Sequence, residues 1–265
     1  MKKSSGFANH MNERPERALV TGASSGIGRE IARILASQGT NLVICARRRT
    51  ELEELSVELN KKHGTESQII ISDLSTEEGV NQLIEEAGEV DILVNNAGFG
   101  TIGKHTEVDV DRQLQMIDLN IRGLTQLSHA YAKKMKRGNR ILNVASIAGF
   151  IPIPSMAVYA ATKAYVLSFS RSLHAELKKD GISVTALCPG YVPSGFQEVA
   201  GIDQSRIGTI GSTSAEVTAR SAVRAMRNSR REVVAGWFNK PFPLILRTAP
   251  IRMQLIVSKL LMESS

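Results

Sequence analysis

The sequence predicts a doubly wound α/β domain: a mostly parallel sheet of seven strands, helices on both faces, and a basic, apolar helical tail at the carboxyl end. Three observations carry this. Apolar runs rich in β-branched residues recur seven times, stretches with helical spacing separate them, and the runs are apolar at successive positions, as strands covered on both faces must be. With 265 residues, 42% of them hydrophobic and 22% charged, the chain can bury a sizeable core without staples.

In chain order the strand runs are ALVTG (18–22), NLVICA (41–46), SQIIISD (67–73), DILVNNAG (91–98), NRILNVAS (139–146), ISVTALCPG (182–190) and REVVAGW (231–237). Helical spacing predicts helices over 28–38, 50–63, 76–87, 108–136, 158–180 and 214–228. No repeat or linker interrupts the series. Residues 1–16 are polar and unpatterned and read as an arm, 17–240 as one domain, and 241–265 as a helical extension set off by Pro241, Pro243 and Pro250. Trp237 and Phe238 are expected to pack at the sheet edge. The tail's apolar face fits packing on the domain or on a second subunit; a lid over a lipophilic pocket, or a weak contact with an anionic membrane surface, is the sharper reading.

Composition excludes several classes. Two cysteines, Cys45 and Cys188, are too few for a disulfide framework or a four-cysteine zinc site, and both sit in apolar strand runs as buried small hydrophobes. His10, His63, His105, His129 and His174 have no metal-ligand spacing, so no metal is expected. Glu51, Glu53, Glu54 and Glu58 lie beside basic residues and read as a solvated helix face. No apolar stretch approaches the roughly 18 residues of a membrane-spanning helix, and no secretory apolar core is seen, so a cytoplasmic enzyme is expected. The net charge of +7 is carried by the end of the chain, where ten Lys/Arg from Arg206 onward face three acids. A basic end on a nearly neutral body disfavours a general nucleic-acid binder.

The first strand runs into Thr21-Gly22-Ala23-Ser24-Ser25-Gly26-Ile27-Gly28 and then into an amphipathic stretch. Glycine is needed where a tight strand-to-helix turn adopts angles closed to other residues and where a side chain would keep a pyrophosphate from the amides at the helix start. A Gly-rich turn between the first strand and first helix of an α/β chain is the context of a dinucleotide site. At the end of the second strand, where an acid would hold an adenosine 2′-hydroxyl, the chain has Arg47 and Arg48 after Ala46. Fixed positive charge there favours a 2′-phosphate, hence NADP(H) over NAD.

Tyr159 and Lys163 in YAATK are four apart, thirteen residues beyond Ser146 at the end of the fifth strand run. On a helix that spacing shares one face, and an ammonium close by is expected to lower the tyrosine pKa from about 10 toward acid–base work near neutrality.

Together these residues closely resemble the short-chain dehydrogenase/reductase superfamily, whose members have a Rossmann-type fold. The resemblance runs from Ala18 to about Ser194 on TGASSGIG, Asp73 in ISDLS, Asn95-Asn96-Ala97-Gly98, Asn120 in MIDLN, Ser146, YAATK and Pro189-Gly190, in the family's order. It implies that Tyr159 is the acid in reduction and the base in oxidation, that Lys163 holds the nicotinamide ribose, that Ser146 binds the substrate oxygen, and that Asn120 positions a water for proton supply. It also implies a cofactor site comprising Thr21, Gly22, Ser24, Ser25, Gly26, Ile27, Gly28, Arg47 and Arg48. Asp73 and Leu74 would lie at the adenine, Asn95, Ala97 and Gly98 along the floor, and Pro189, Gly190, Val192 and Ser194 at the carboxamide. Ser194 stands where the family often has Thr, and the tail replaces the family's usual ending. Residues 196–213 fall where the family varies its substrate loop.

The expected activity is NADP(H)-dependent interconversion of a carbonyl and an alcohol, in the direction of reduction and on a lipophilic ketone or acyl-type small molecule. A sugar or polyol dehydrogenase, and a non-catalytic NADP(H)-sensing partner protein, are the alternatives. By the same resemblance a homo-oligomer, dimer or tetramer, is expected through helices 108–136 and 158–180.

Overall fold

A computed structural model describes residues 15–193, 212–236, 239 and 249–263. Ser194, Trp237, Phe238, nearly all of the predicted arm and loop, and residues 240–248 of the tail lie outside them.

The seven expected strands are present: β1 (Arg17–Thr21), β2 (Asn41–Ala46), β3 (Ser67–Ile71), β4 (Ile92–Asn95), β5 (Arg140–Val144), β6 (Ser183–Cys188) and β7 (Glu232–Val234). All pair in parallel, in the order β3-β2-β1-β4-β5-β6-β7. The helices are α1 (Gly26–Ser37), α2 (Arg49–His63), α3 (Glu77–Ala87), α4 (Val110–Ile117), α5 (Leu124–Ala132), α6 (Ala157–Leu177), α7 (Ala215–Arg227) and α8 (Ile251–Glu263).

Alternation along the strands sorts the core into two layers. Ala18 and Val20 face α1 and α7 through Ile31, Leu35, Val223 and Met226, whereas Leu19 faces the other side with Val80, Leu83, Leu127 and Tyr131. Burial on both faces is why these strands read as unbroken apolar runs. Cys45 and Cys188 are free and buried, as expected. Because every strand runs the same way, all carboxyl ends lie along one edge. The chain leaves β3 and returns on the far side of β1 as β4, which opens the crevice where such sheets bind ligands.

One helix departs from expectation. The stretch 108–136 is not a single α-helix: α4 and α5 are joined by a π-helical turn, Asp118–Gly123. The cause is tertiary. A Cβ on Gly123 would come 2.5 Å from the Leu74 carbonyl oxygen, so this turn is pressed onto the loop after β3, and the extra residue is accommodated with Asn120 buried inward.

The acidic face of α2 also needs correction. Glu58 is not simply solvated: Arg33 donates to it from Nε at 3.1 Å and Nη2 at 2.7 Å, and Lys62 Nζ donates at 2.8 Å. The Arg33 hydrogen bonds, over the opposition of partial burial, hold its carboxyl down at about 2. A depressed carboxylate stabilises the fold above its ordinary value of 4.5, and that contribution is lost as pH falls through about 2. Glu58→Gln is therefore expected to lower stability at pH 7 by less than about 1 kcal/mol, because the cluster is near solvent, and to flatten the fall in melting temperature between these pH values. Thermal melts from pH 2 to 7 check both.

Candidate active site

The site is assembled at the carboxyl ends of β1, β4, β5 and β6. Thr21 closes β1 and ties it to β4: its Oγ1 donates to Val94 O at 3.1 Å and accepts from the amides of Asn96 and Ala97, each at 3.0 Å. Asn96 completes the latch, its Nδ2 donating to the carbonyls of Thr21 at 2.9 Å and Gly22 at 3.1 Å. Gly22 and Gly26 have φ of +65° and +56°, the left-handed region that favours glycine. Ile27 packs on the core and anchors the start of α1.

The N-cap of α1, Ser25, makes no side-chain capping bond, and the first turn carries no acid. The leading amides of α1 thus keep their positive end available to an anion. Arg48 reaches over the same loop, with Nη2 at 3.0 Å from Ser24 Oγ and 2.8 Å from Ser25 Oγ. Arg47 pairs at 3.4 Å with Asp73, which also accepts from the amide and hydroxyl of Ser75. Two guanidinium groups and two hydroxyls beside an uncapped helix start form a donor set suited to a phosphorylated dinucleotide.

Asn95, expected along the floor, and Leu74, expected at the adenine, both turn their side chains into the interior. Asn95 points into the sheet interior, where its Nδ2 donates to Ser128 Oγ at 3.0 Å and to Asn143 Oδ1 at 2.9 Å, its register partner on β5. Alternation along β4 turns that side chain away from the loop, and its neighbour Asn96 holds the loop instead. Leu74 is buried in the second core layer with Val80 and Leu83. Its neighbour Asp73 carries the polar groups at this edge.

Ser146 follows β5 and caps a 3-10 turn, Ile147–Phe150, by accepting from Ala148 N at 3.1 Å. The turn is locked to β6 through Ile147 N and Pro189 O at 3.0 Å. Gly149 allows it to lie on α6, since a Cβ there would come 2.6 Å from Lys163 O. Tyr159 and Lys163 therefore stand over the end of β5, and Ser146 bonds to the Tyr159 side chain. Lys163 Nζ donates to Val144 O at 2.9 Å and lies 5.8 Å from the centre of the Tyr159 ring.

The expected effect of Lys163 on tyrosine acidity is not what the protein alone displays. Burial pushes the Tyr159 phenol up to about 12, with the Ser146 hydrogen bond acting in the opposite direction. Burial also brings Lys163 down to about 8. The ammonium is committed to a backbone carbonyl, and in a dry site desolvation outweighs a charge near the ring.

Asn120, on the π-helical turn, is fully engaged: Nδ2 donates to Phe99 O at 2.9 Å and Thr162 Oγ1 at 3.0 Å, and Oδ1 accepts from Phe99 N at 3.2 Å. Its side chain braces the segment after Gly98 against α6, and its amide is committed to that brace. Gly98 lies against it, a Cβ there coming 2.8 Å from Asn120 Oδ1. Thr162 passes the brace on by donating to Tyr159 O at 2.8 Å. Asn96 and Thr162 stand inside motifs that the sequence displays, NNAG and YAATK, but neither has a role legible there; a polar residue beside each functional one is the available signal. Gly190 makes room for Asn239, whose Nδ2 donates to Ala235 O at 3.0 Å, and Val192 is buried beside them. Among the described residues no cluster of metal-ligating side chains exists.

Known proteins share this architecture. An uncharacterised oxidoreductase of Staphylococcus epidermidis is 37% identical over 188 residues, covering 68% of this chain and 80% of that one. A very-long-chain 3-oxoacyl-CoA reductase of Anas platyrhynchos is 33% identical over 192 residues, 69% of this chain and 62% of that one. The solved structure of a short-chain dehydrogenase from Sphingobium yanoikuyae in complex with NADPH superposes with a TM-score of 0.76 at 31% identity, covering 83% of this chain and 87% of the other. The sequence model for short chain dehydrogenases matches residues 16–204, most of the α/β body just described, and the chain belongs to that family.

Proposed function

We propose that this protein is an NADP(H)-dependent oxidoreductase that interconverts a carbonyl and an alcohol, working as a reductase of a lipophilic ketone or acyl-type substrate. One observation carries the reading: Ser146, Tyr159 and Lys163 meet in a buried site, braced by Asn120, beside a loop whose donors suit a phosphorylated dinucleotide. When bound, the dinucleotide supplies the hydride. The amides at the start of α1, with Ser24 and Ser25, bind its pyrophosphate, and Arg48 and Arg47 its 2′-phosphate. Ala97 and Gly98 would line its floor, and Pro189, Gly190 and Val192 would meet its carboxamide end.

Ser146 orients the substrate oxygen by hydrogen bonding, and Tyr159 Oη gives that oxygen its proton in reduction. A phenol with a pKa near 12 is protonated throughout the physiological range, the form that donation requires. Lys163 holds ribose hydroxyls from its place on the β5 carbonyl and carries the proton supply toward Tyr159.

The lipophilic assignment is supported by the basic, apolar tail, which suits an acyl-type molecule with a negative group; its Ile251 and Leu255 edge an apolar groove of about 600 Å³ along Ala157, Ala160, Ala161 and Ala164 of α6, a groove that none of Ser146, Tyr159 and Lys163 lines. The activity in the name of the Anas platyrhynchos relative points the same way. The test is NADPH oxidation across acyl-thioester ketones, steroids, fatty aldehydes, sugars and small diketones. Turnover confined to sugars overturns the lipophilic assignment, and NADPH binding without any turnover replaces the enzyme reading with that of a sensor.

Cofactor choice has its own test. Arg48→Ala removes charge-assisted hydrogen bonds worth about 1.5–3 kcal/mol, so the KM for NADPH is expected to rise about ten- to a hundredfold. The KM for NADH, which has no 2′-phosphate, should stay within about twofold, and equal losses with both would remove Arg48 from phosphate recognition.

A further inference from the structure

The last helix turns part of its apolar surface outward. In α8, Gln254 and Ser258 face the protein: Ser258 is only 2% exposed and donates to Leu255 O at 3.2 Å, while Gln254 Nε2 donates to Ala249 O at 2.9 Å. At about 100° per residue, Met253 and Ile256 fall on the opposite side of the helix and Val257 on its flank. They are 56%, 60% and 44% exposed. A surface helix that meets only water carries its apolar residues inward and its polar ones outward. Ile251, Gln254 and Leu255 line the groove beside α6, so the helix meets the body along a side that mixes apolar and uncharged polar residues, and presents an apolar stripe, Met253 and Ile256, away from it beside its two cations.

Charge accompanies the stripe. Arg252 and Lys259 are exposed along the same helix. From residue 233 to the end the chain has four Lys/Arg, namely Lys240, Arg247, Arg252 and Lys259, against a single acid, Glu263, at the close of α8. We propose that α8 lies on an anionic lipid surface, with Met253, Ile256 and Val257 at the acyl boundary and Arg252 and Lys259 among the headgroups. The charge selects this occupant. A second copy of a chain with net charge +7 would bring an equally basic end to the contact, whereas acidic headgroups complement both the cations and the apolar stripe between them. The helix is too short and insufficiently apolar to span: none among the described residues meets that requirement. Lying in the interface is the remaining geometry. Lipid binding of this kind stands whether or not Tyr159 is catalytic.

The test is co-sedimentation of the full chain with vesicles of phosphatidylcholine alone and of phosphatidylcholine with about 30% phosphatidylserine, at low and high salt. The expected result is at least about tenfold stronger partition onto the anionic vesicles, reduced by salt. The double variant Met253→Asp with Ile256→Asp should lose about tenfold or more of that partition, with an unchanged far-ultraviolet spectrum and melting temperature. The pair Arg252→Gln with Lys259→Gln, which leaves the apolar stripe intact, should lose about tenfold on anionic vesicles and nothing on neutral ones. Wild-type protein that stays in the supernatant overturns the proposal, as does full binding by both pairs of variants. So does sedimentation equilibrium showing that Met253→Asp with Ile256→Asp splits an oligomer while vesicles bind neither protein, which would assign the stripe to a second copy.

Discussion

Tyr159→Phe is expected to reduce kcat for carbonyl reduction by about 10²- to 10⁴-fold, the range for removing a positioned general acid. That corresponds to about 3 to 5 kcal/mol of barrier. The substitution keeps the ring, which packs with Phe99, Met116 and Ala148, and removes one hydroxyl. Ser146 retains the Ala148 amide as a partner. Stability should therefore change by no more than about 1 kcal/mol, and NADPH affinity by no more than about twofold. Stopped-flow NADPH oxidation, a melt and a fluorescence titration on the same preparation separate these effects. A variant that keeps more than a tenth of wild-type kcat would show that the proton comes from elsewhere.

Direction and pH are linked through the same hydroxyl. Because burial raises the phenol to about 12, reduction already has its acid in the protonated form at neutral pH, and as pH falls from 8 to 6 it should gain no more than about twofold, through protonation of Lys163 near its pKa of about 8. Alcohol oxidation needs the phenolate, so its rate should climb with pH by up to about tenfold per unit while the phenol remains the titrating group. Tyr159→Phe should abolish that slope as well as the rate.

How far the sequence discloses this site depends on what each feature answers to. Strands buried on both faces announce themselves: six lie within the runs that mark them, and β1 starts one residue before its run, at Arg17. Helix starts with a side-chain cap are similarly local: Thr76 accepts from Gly79 N and Ser214 from Val217 N, and both stand at the starts their residue type predicts. The π-helical turn is not local. It follows from Gly123 meeting a carbonyl on a loop some fifty positions earlier, and the spacing of 108–136 carries no trace of that contact. The exchange of roles between Asn95 and Asn96 has a related origin, since strand alternation decides which amide faces the interior and two adjacent asparagines look alike. Tyrosine acidity is the clearest case. A spacing of four brings Lys163 near Tyr159, but desolvation, which sets the sign of the shift, depends on everything packed around the pair.

Gly28→Ala is expected to damage cofactor binding and stability together, because two neighbours of different kinds occupy the space its Cβ would need. One is Asn96 Nδ2, the end of a side chain; the other is the Gly22 carbonyl oxygen, which would lie 2.5 Å from the new atom. The backbone contact decides the outcome, for Gly22 is held by the Asn96 latch and by its own left-handed conformation. Overpacking of this kind costs about 1–3 kcal/mol. Relief would come only by moving the loop away from β4, which displaces the amides offered to the pyrophosphate, so NADPH affinity should fall by at least about tenfold. Combining the change with Asn96→Ala distinguishes the two neighbours. Removing the amide eliminates one clash and leaves the other, while also releasing the bonds that hold Thr21 and Gly22. The double variant should consequently melt no higher than Gly28→Ala alone. A double-mutant cycle in which Asn96→Ala restored NADPH binding would instead place the obstruction in the side chain and leave the loop backbone free to adjust.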